Sequence, residues 1–172
     1  LIGFAGAPWT ILTYMLEGGG SKTFSKARRF LYTETEASHH LLDKITQSTI
    51  NYLKGQINAG ANIIQLFDSW AGILGPVQYQ EFGLKYIRQI CEATTEVPII
   101  VFAKGAYHSM EQIGQLRCNV IGIDWQTPIR HTRQFTNGKA IQGNLDPTIL
   151  YADRATIEKH TLQMLEEFGP TG

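Results

Sequence analysis

The stretch from Asn62 to Gly72, NIIQLFDSWAG, begins as a short apolar run and then turns abruptly to an acid, a hydroxyl, an indole and two small residues. A run this short without clean alternation is the pattern of a β-strand covered on both faces. Alternate side chains of a barrel strand point inward, so Phe67 and Ser69 share one orientation and Asp68 takes the other. The same design recurs. Leu1 to Ala5 leads into Gly6, Ala7 and Pro8. Pro98 to Ala103 leads into Lys104, Gly105, Ala106, Tyr107 and His108, Val120 to Trp125 contains GIDW, and Lys139 to Gln142 leads into GNLDP. After the first strand the residues read as a loop, in which Trp9 and Tyr14 offer flat apolar faces and Tyr14 adds a hydroxyl. An aromatic after a strand is more often core than ligand contact. Recurrence carries the weight: five strand ends with this chemistry point to one shared site.

Helical spacing fills the gaps. Ala37, Leu41, Leu42, Ile45, Ile50, Leu53 and Ile57 recur from near Glu34 to Asn58, and Gly60 follows as a stop. Phe82, Tyr86, Ile87 and Ile90 do the same after Pro76; Ile113 with Leu116, then Ile129, then Ile157 to Leu165 mark three more. Strict alternation of strand and helix predicts a parallel sheet with right-handed crossovers. A dinucleotide fold would show GxGxxG at its first turn, and a P-loop would show GxxxxGK before Ser or Thr; neither occurs. Gly18, Gly19 and Gly20 come too far after the strand for that role and read as a flexible loop. Polar residues at every strand's carboxyl end favour a β/α barrel over an open doubly wound sheet.

With 172 residues the chain reads as a single domain over positions 1–172. A closed eightfold barrel needs about 200 residues or more. Leu1 starts directly on a strand and the chain stops at Gly169 to Gly172, where another strand is due, so both ends read as cuts in a larger protein. Lys plus Arg total 15 and Asp plus Glu total 15, for a net charge of zero. That balance carries no electrostatic footprint for nucleic acid or anionic membrane and suits a small-molecule ligand. No apolar run approaches the roughly 20 residues that span a bilayer, and no signal-peptide pattern is present. Cys91 and Cys118 lack a CxxC setting and read as free, buried thiols of a reducing compartment, which makes the cytoplasm the expected location.

GFAGAPWT, TYMLEGGGS, QLFDSWAG, GIDW and QGNLDP stand together in an order that resembles the uroporphyrinogen decarboxylase family, and the resemblance runs from Ile2 to the FGP near the end. It implies an α/β fold, a partial (β/α)8 TIM barrel of about five parallel strand-helix units corresponding to strands 3 to 7. It implies loss of carbon dioxide from the four acetate side chains of uroporphyrinogen III to give coproporphyrinogen III, in porphyrin and heme biosynthesis. No cofactor and no metal are implied, and family members are homodimers. The family's arginine-rich amino-terminal segment, its carboxylate and its last strand with a histidine have no counterpart here. On this reading the residues hold no catalytic group, and the piece alone is expected to be inactive and aggregation-prone. Tyr14 and Ser69 fall on positions whose hydroxyls contact substrate in the family.

From the residues alone, Ser69 has three readings. It can donate to a substrate carboxylate, cap the following turn, or act as a nucleophile, although DSW lacks the flanking glycines of a nucleophile elbow and no motif supplies a histidine base. Capping leads on residue type; the resemblance reverses that order. His39, His40, His131 and His160 sit on helices and read as surface, while His108 can face the site as a pocket edge. Asp124 and Asp146 can form an acid and base pair but read as structural, with Pro147 starting a helix after Asp146. Lys104 can form a Schiff base, although the resemblance implies no covalent intermediate. The arginines, at 28, 29, 88, 117, 130, 133 and 154, belong to the outer helical ring. Two alternatives from other classes are a zinc- and cobamide-dependent methyltransferase barrel, whose His and Cys arrangement the sequence does not show, and a non-catalytic barrel binding an anion at its strand ends.

Overall fold

The computed structural model describes residues 1–169; the stop at Pro170 to Gly172, where a further strand is due by sequence, lies outside the described residues. Five strands lie side by side in chain order, all parallel: β1 (Ile2–Gly6), β2 (Ile63–Asp68), β3 (Ile99–Ala103), β4 (Val120–Gly122) and β5 (Ala140–Gln142). Their starts lie within a residue or so of the apolar runs in the sequence. The fourth is shorter than its run: Ile123 makes the last bond to the fifth strand, donating to the Gln142 carbonyl at 2.8 Å, and Asp124 lies beyond the ladder.

Helices cover one face. They are α1 (Pro8–Glu17), α2 (Ser25–Thr33), α3 (Thr35–Asn58), α4 (Pro76–Tyr79), α5 (Lys85–Ala93), α6 (Met110–Gly114), α7 (Ile129–Arg133) and α8 (Arg154–Phe168). One π-helical turn, Gln80–Leu84, joins α4 to α5. Trp9, Leu12, Phe24, Leu42, Leu53, Ile64, Leu66, Tyr86, Ile87 and Val101 bury themselves between this layer and the sheet. Gly60, at φ 104°, ends α3 as its position in the sequence suggests.

The segment after β1 corrects the sequence reading. It is a helix, not a loop: Pro8 occupies the first helical turn, where its missing N–H is no loss, and the left-handed Gly18 closes α1 at its carboxyl end. Gly19 and Gly20 then lead toward Phe24, which is fully buried.

The other face of the sheet is concave and, among the described residues, carries no helix. Gln65 on β2 donates to Gln142 on β5 at 3.3 Å. Three strand spacings of a flat sheet would separate those backbones by about 14 Å, so the sheet curls toward this face as a barrel wall does. Phe4, Phe67 and Phe102 line it in edge-on contact, with ring centres 6.1 and 5.9 Å apart, and Phe4 is 62% exposed. On the outer edge, Ala7 and Leu1 bond toward β2, which turns the backbone of Phe4 away from it. The Gln56 carboxamide from α3 accepts from the Phe4 N–H at 2.7 Å and donates to its carbonyl at 2.9 Å, satisfying groups a neighbouring strand would otherwise take.

Candidate functional site

The carboxyl ends of the strands converge through their loops. Asp68, the last residue of β2, is fully buried on the helix side, as the alternation from Phe67 requires. Its Oδ1 accepts from Thr10 Oγ1 at 2.7 Å, and the same hydroxyl accepts from the Trp70 N–H at 3.3 Å. The Trp9 indole N–H donates to the Trp70 carbonyl at 3.0 Å. These three bonds bolt the start of α1 to the end of β2. The Tyr79 phenol is the remaining neighbour, close enough for it and the carboxyl to influence each other's proton affinity, although neither Asp68 Oδ2 nor the phenol oxygen has a partner of full hydrogen-bond geometry. Gly83, within the π-helical turn, makes room for that ring, since a Cβ there would overlap it. Burial pushes the Asp68 carboxyl up from 3.8 to about 6, against the opposing effects of the Thr10 hydrogen bond and the nearby Tyr79 phenol. Burial also raises the Tyr79 phenol, with the Asp68 charge adding to it.

Trp70 connects this buried cluster to the mouth. Its ring packs on Phe24, with centres 4.4 Å apart, and stands edge-on to Tyr14 at 6.3 Å. Tyr14, on α1, is 42% exposed, and among the described residues its hydroxyl makes no hydrogen bond. Ser69 stands between Asp68 and Trp70, half-buried. Among the described residues its hydroxyl makes no hydrogen bond, and the short helical turn Ala71–Ile73 that follows carries no side-chain cap. The capping reading of Ser69 is corrected on that ground: the turn closes through backbone bonds alone.

On the next strand, the Lys104 ammonium lies 6.0 Å from the Trp70 ring centre and 5.2 Å from that of Trp125. The chain Tyr14, Trp70, Lys104, Trp125 thus crosses the mouth over three strand ends. Asp124 is structural, as expected. It is buried, its Oδ2 accepting from the Gly105 N–H at 2.5 Å and its Oδ1 from the Gln126 N–H and Thr127 hydroxyl at 2.9 and 3.0 Å. Asn144 ties the fifth strand end to the fourth by donating to the carbonyls of Asp124 and Thr127. Asp146 accepts from the Thr148 N–H at 2.8 Å and starts the helical turn Pro147–Tyr151. These two carboxylates hold backbone and are not paired with each other.

The histidines divide. His108 is half-buried between Tyr107 and Tyr79, with Nδ1 2.8 Å from the Ser109 hydroxyl. Burial lowers its pKa, with the Leu74 carbonyl acting in the opposite direction. His39 corrects the surface reading: it stacks on Phe82 and lies 2.6 Å from the Tyr86 hydroxyl and 3.2 Å from Glu81. His131 and His160 are likewise half-buried, and His40 is exposed. Cys91 and Cys118 are free and buried, and burial pushes both thiols up. Six arginines are exposed, and Arg133, half-buried, donates to the Phe168 carbonyl on α8. Among the described residues no group of three His, Cys, Asp or Glu side chains converges as a metal site, and no helix is long and apolar enough to cross a membrane.

The comparisons bear on this arrangement. A family model described as uroporphyrinogen decarboxylase (URO-D) matches residues 1–172. The chain belongs to the uroporphyrinogen decarboxylase family. It is 47% identical to the uroporphyrinogen decarboxylase of Flavobacterium johnsoniae over 171 residues, covering 98% of this chain and 50% of the relative. It is 46% identical to that of Schizosaccharomyces pombe over 180 residues and 45% identical to that of Danio rerio over 182, covering 50% and 49% of them. The chain therefore spans about half the length of the curated uroporphyrinogen decarboxylases it matches. A solved methyltransferase from Methanosarcina mazei superposes with a TM-score of 0.83 over 96% of this chain and 49% of its own, at 16% identity. That likeness shows a shared fold.

Sequence reasoning named Tyr14 and Ser69 but missed two groupings. The Thr10, Asp68 and Tyr79 cluster joins three separate elements, and only the burial of Asp68 opposite Phe67 was open to inference. Lys104 between two indoles could have been suspected from a lysine at one strand end and tryptophans just after two others.

Proposed function

We propose that this chain is the substrate-cradling half of a uroporphyrinogen decarboxylase, a cytoplasmic carboxy-lyase and homodimer that converts uroporphyrinogen III to coproporphyrinogen III. The observation that carries the reading is the pairing of two layers at one end of the sheet. Phe4, Phe67 and Phe102 form an apolar wall, and Tyr14 on α1 and Ser69 just after β2 offer hydroxyls that have no partner among the described residues. A flat macrocycle fringed with carboxylates needs both: apolar surface for the ring, and donors for the fringe.

The chemistry proceeds without metal or cofactor. A pyrrole protonated beforehand is the electron sink: the bond from each acetate methylene to its carboxylate breaks, carbon dioxide leaves, the electron pair passes into the ring, a proton takes the vacated position on the methylene, and the ring gives up the proton it gained first, so that one proton is consumed for each carbon dioxide lost. Other decarboxylases obtain such a sink from a bound cofactor. Tyr14 and Ser69 orient the substrate by donating to its carboxylates. The family's carboxylate for the pyrrole nitrogens, and its arginines, belong to strands one and two and are not among these residues.

The test is an anaerobic assay of the protein, expressed with whatever its gene encodes on either side of these residues, on uroporphyrinogen III. Products are separated by chromatography after oxidation. Coproporphyrin should accumulate through seven-, six- and five-carboxylate intermediates. Folded protein that leaves the octacarboxylate untouched overturns the assignment.

A further inference from the structure

Lys104 follows the last residue of β3, and its N–H donates to the Asp68 carbonyl at 3.1 Å. Since Ala103 pairs with Asp68, Lys104 continues the register opposite Ser69. Ala103 is buried toward the helices, and alternation turns Phe102 and Lys104 to the concave face. The ammonium stands 5.2 and 6.0 Å from the Trp125 and Trp70 ring centres, within the range at which an indole face attracts a cation.

Those rings hold the charge in place without neutralising it. Among the described residues the ion pairs are His39 with Glu81 and Lys54 with Glu96, so no carboxylate lies within 4.0 Å of Lys104. Asp124, the acid at the neighbouring strand end, has both oxygens engaged by Gly105, Gln126 and Thr127. The backbone beneath the lysine is held on both sides: its carbonyl accepts from the Gly72 N–H at 2.9 Å, and Gly105 next to it is bonded to Asp124. A fixed, unneutralised cation beside a free hydroxyl on the open face is a site for an anion.

We propose that Lys104 pairs with a carboxylate of the substrate, the Trp70 and Trp125 rings holding its ammonium in position and the Ser69 hydroxyl donating to the same group. The inference rests on the porphyrinogen reading and deepens it. It assigns a cation to this half of the barrel, where the sequence offered only hydroxyl and apolar contacts.

The probe is uroporphyrin III, the stable oxidised octacarboxylate, titrated into wild-type protein and the K104M, K104Q and K104R variants while tryptophan emission is followed. Both neutral variants should bind about tenfold more weakly and K104R should recover most of the affinity, the effect of one charged hydrogen-bonding partner. Unfolding midpoints should stay unchanged, and wild-type binding should weaken more steeply with salt than that of K104M. Neutral variants that bind like wild type overturn the assignment, and so does K104R binding no better than K104M, because shape rather than charge would then matter. If neither neutral variant folds, the wild-type salt dependence decides, and its absence overturns the role. Wild-type protein that binds no uroporphyrin sinks the porphyrinogen reading itself, which is a different result from wild-type binding with indifferent variants.

Discussion

Thr10 Oγ1 donates to Asp68 Oδ1 at 2.7 Å inside the core, linking the first turn of α1 to the end of β2. The bond places a carboxyl where water cannot reach it, and burial raises its pKa from 3.8 to about 6. An unfolded aspartate ionises near about 3.9. Between about pH 4 and about 6 the folded chain therefore holds a proton that the unfolded chain has released. Asp68 thus favours folding most below about pH 4, and that contribution falls as pH rises to about 6, by about 3 kcal/mol.

Asp68→Asn removes this titration while keeping an acceptor for Thr10 and presenting an N–H toward the Tyr79 phenol. Its stability advantage over wild type should be small near pH 4 and should grow through pH 6. Urea unfolding of both proteins across that range checks it, and parallel curves would show that Asp68 does not titrate there.

Ser69→Ala should leave the unfolding midpoint nearly unchanged, because the hydroxyl has no partner among the described residues, and should lower the decarboxylation rate measurably. A midpoint lowered by the equivalent of about 1 kcal/mol with turnover intact would restore the turn-capping role. A loss of about a thousandfold or more would instead mark a nucleophile or proton donor.

Tyr14→Phe keeps the ring that stands against Trp70 and Phe24 and removes only the hydroxyl. With a substrate carboxylate as partner, kcat/KM should fall by the equivalent of about 1 to 3 kcal/mol. Unchanged kinetics in a folded variant would assign Tyr14 to packing.

Gly72→Ala tests the frame under Lys104. A Cβ there would stand 2.7 to 2.8 Å from the backbone O, C and Cα of Gly105, atoms that cannot swing aside as a side chain does. Overpacking of this kind destabilises by about 1 to 3 kcal/mol, and the Lys104 loop should shift with it. Chemical denaturation measures the first effect, and a loss of uroporphyrin affinity like that of K104M the second.

Much of the fold was open to a reader of the sequence because it is written locally. The apolar runs at Asn62 to Phe67 and Pro98 to Ala103 lie within a residue of β2 and β3, and the period from Glu34 to Asn58 is α3. The misreading at Gly6, Ala7 and Pro8 has a local cause too: small residues and proline signal a break, but proline also suits the first turn of a helix. His39 failed for a distant one. What buries it is Phe82 and Tyr86 from another helix, and nothing near His39 in the chain reports them.

The sequence by itself determined that strands and helices alternate and that polar and aromatic residues gather at the strand ends, since both follow from side-chain periodicity and turn chemistry. Which of those residues meet was decided only by the tertiary structure. Lys104 lies between Trp70 and Trp125 because the sheet curls, carrying separate strand ends around one mouth, and because two glycine backbones at 72 and 105 pack against each other. Curvature and close backbone approach are properties of the packed layers, to which residues far apart in the chain contribute together, so no local stretch encodes them.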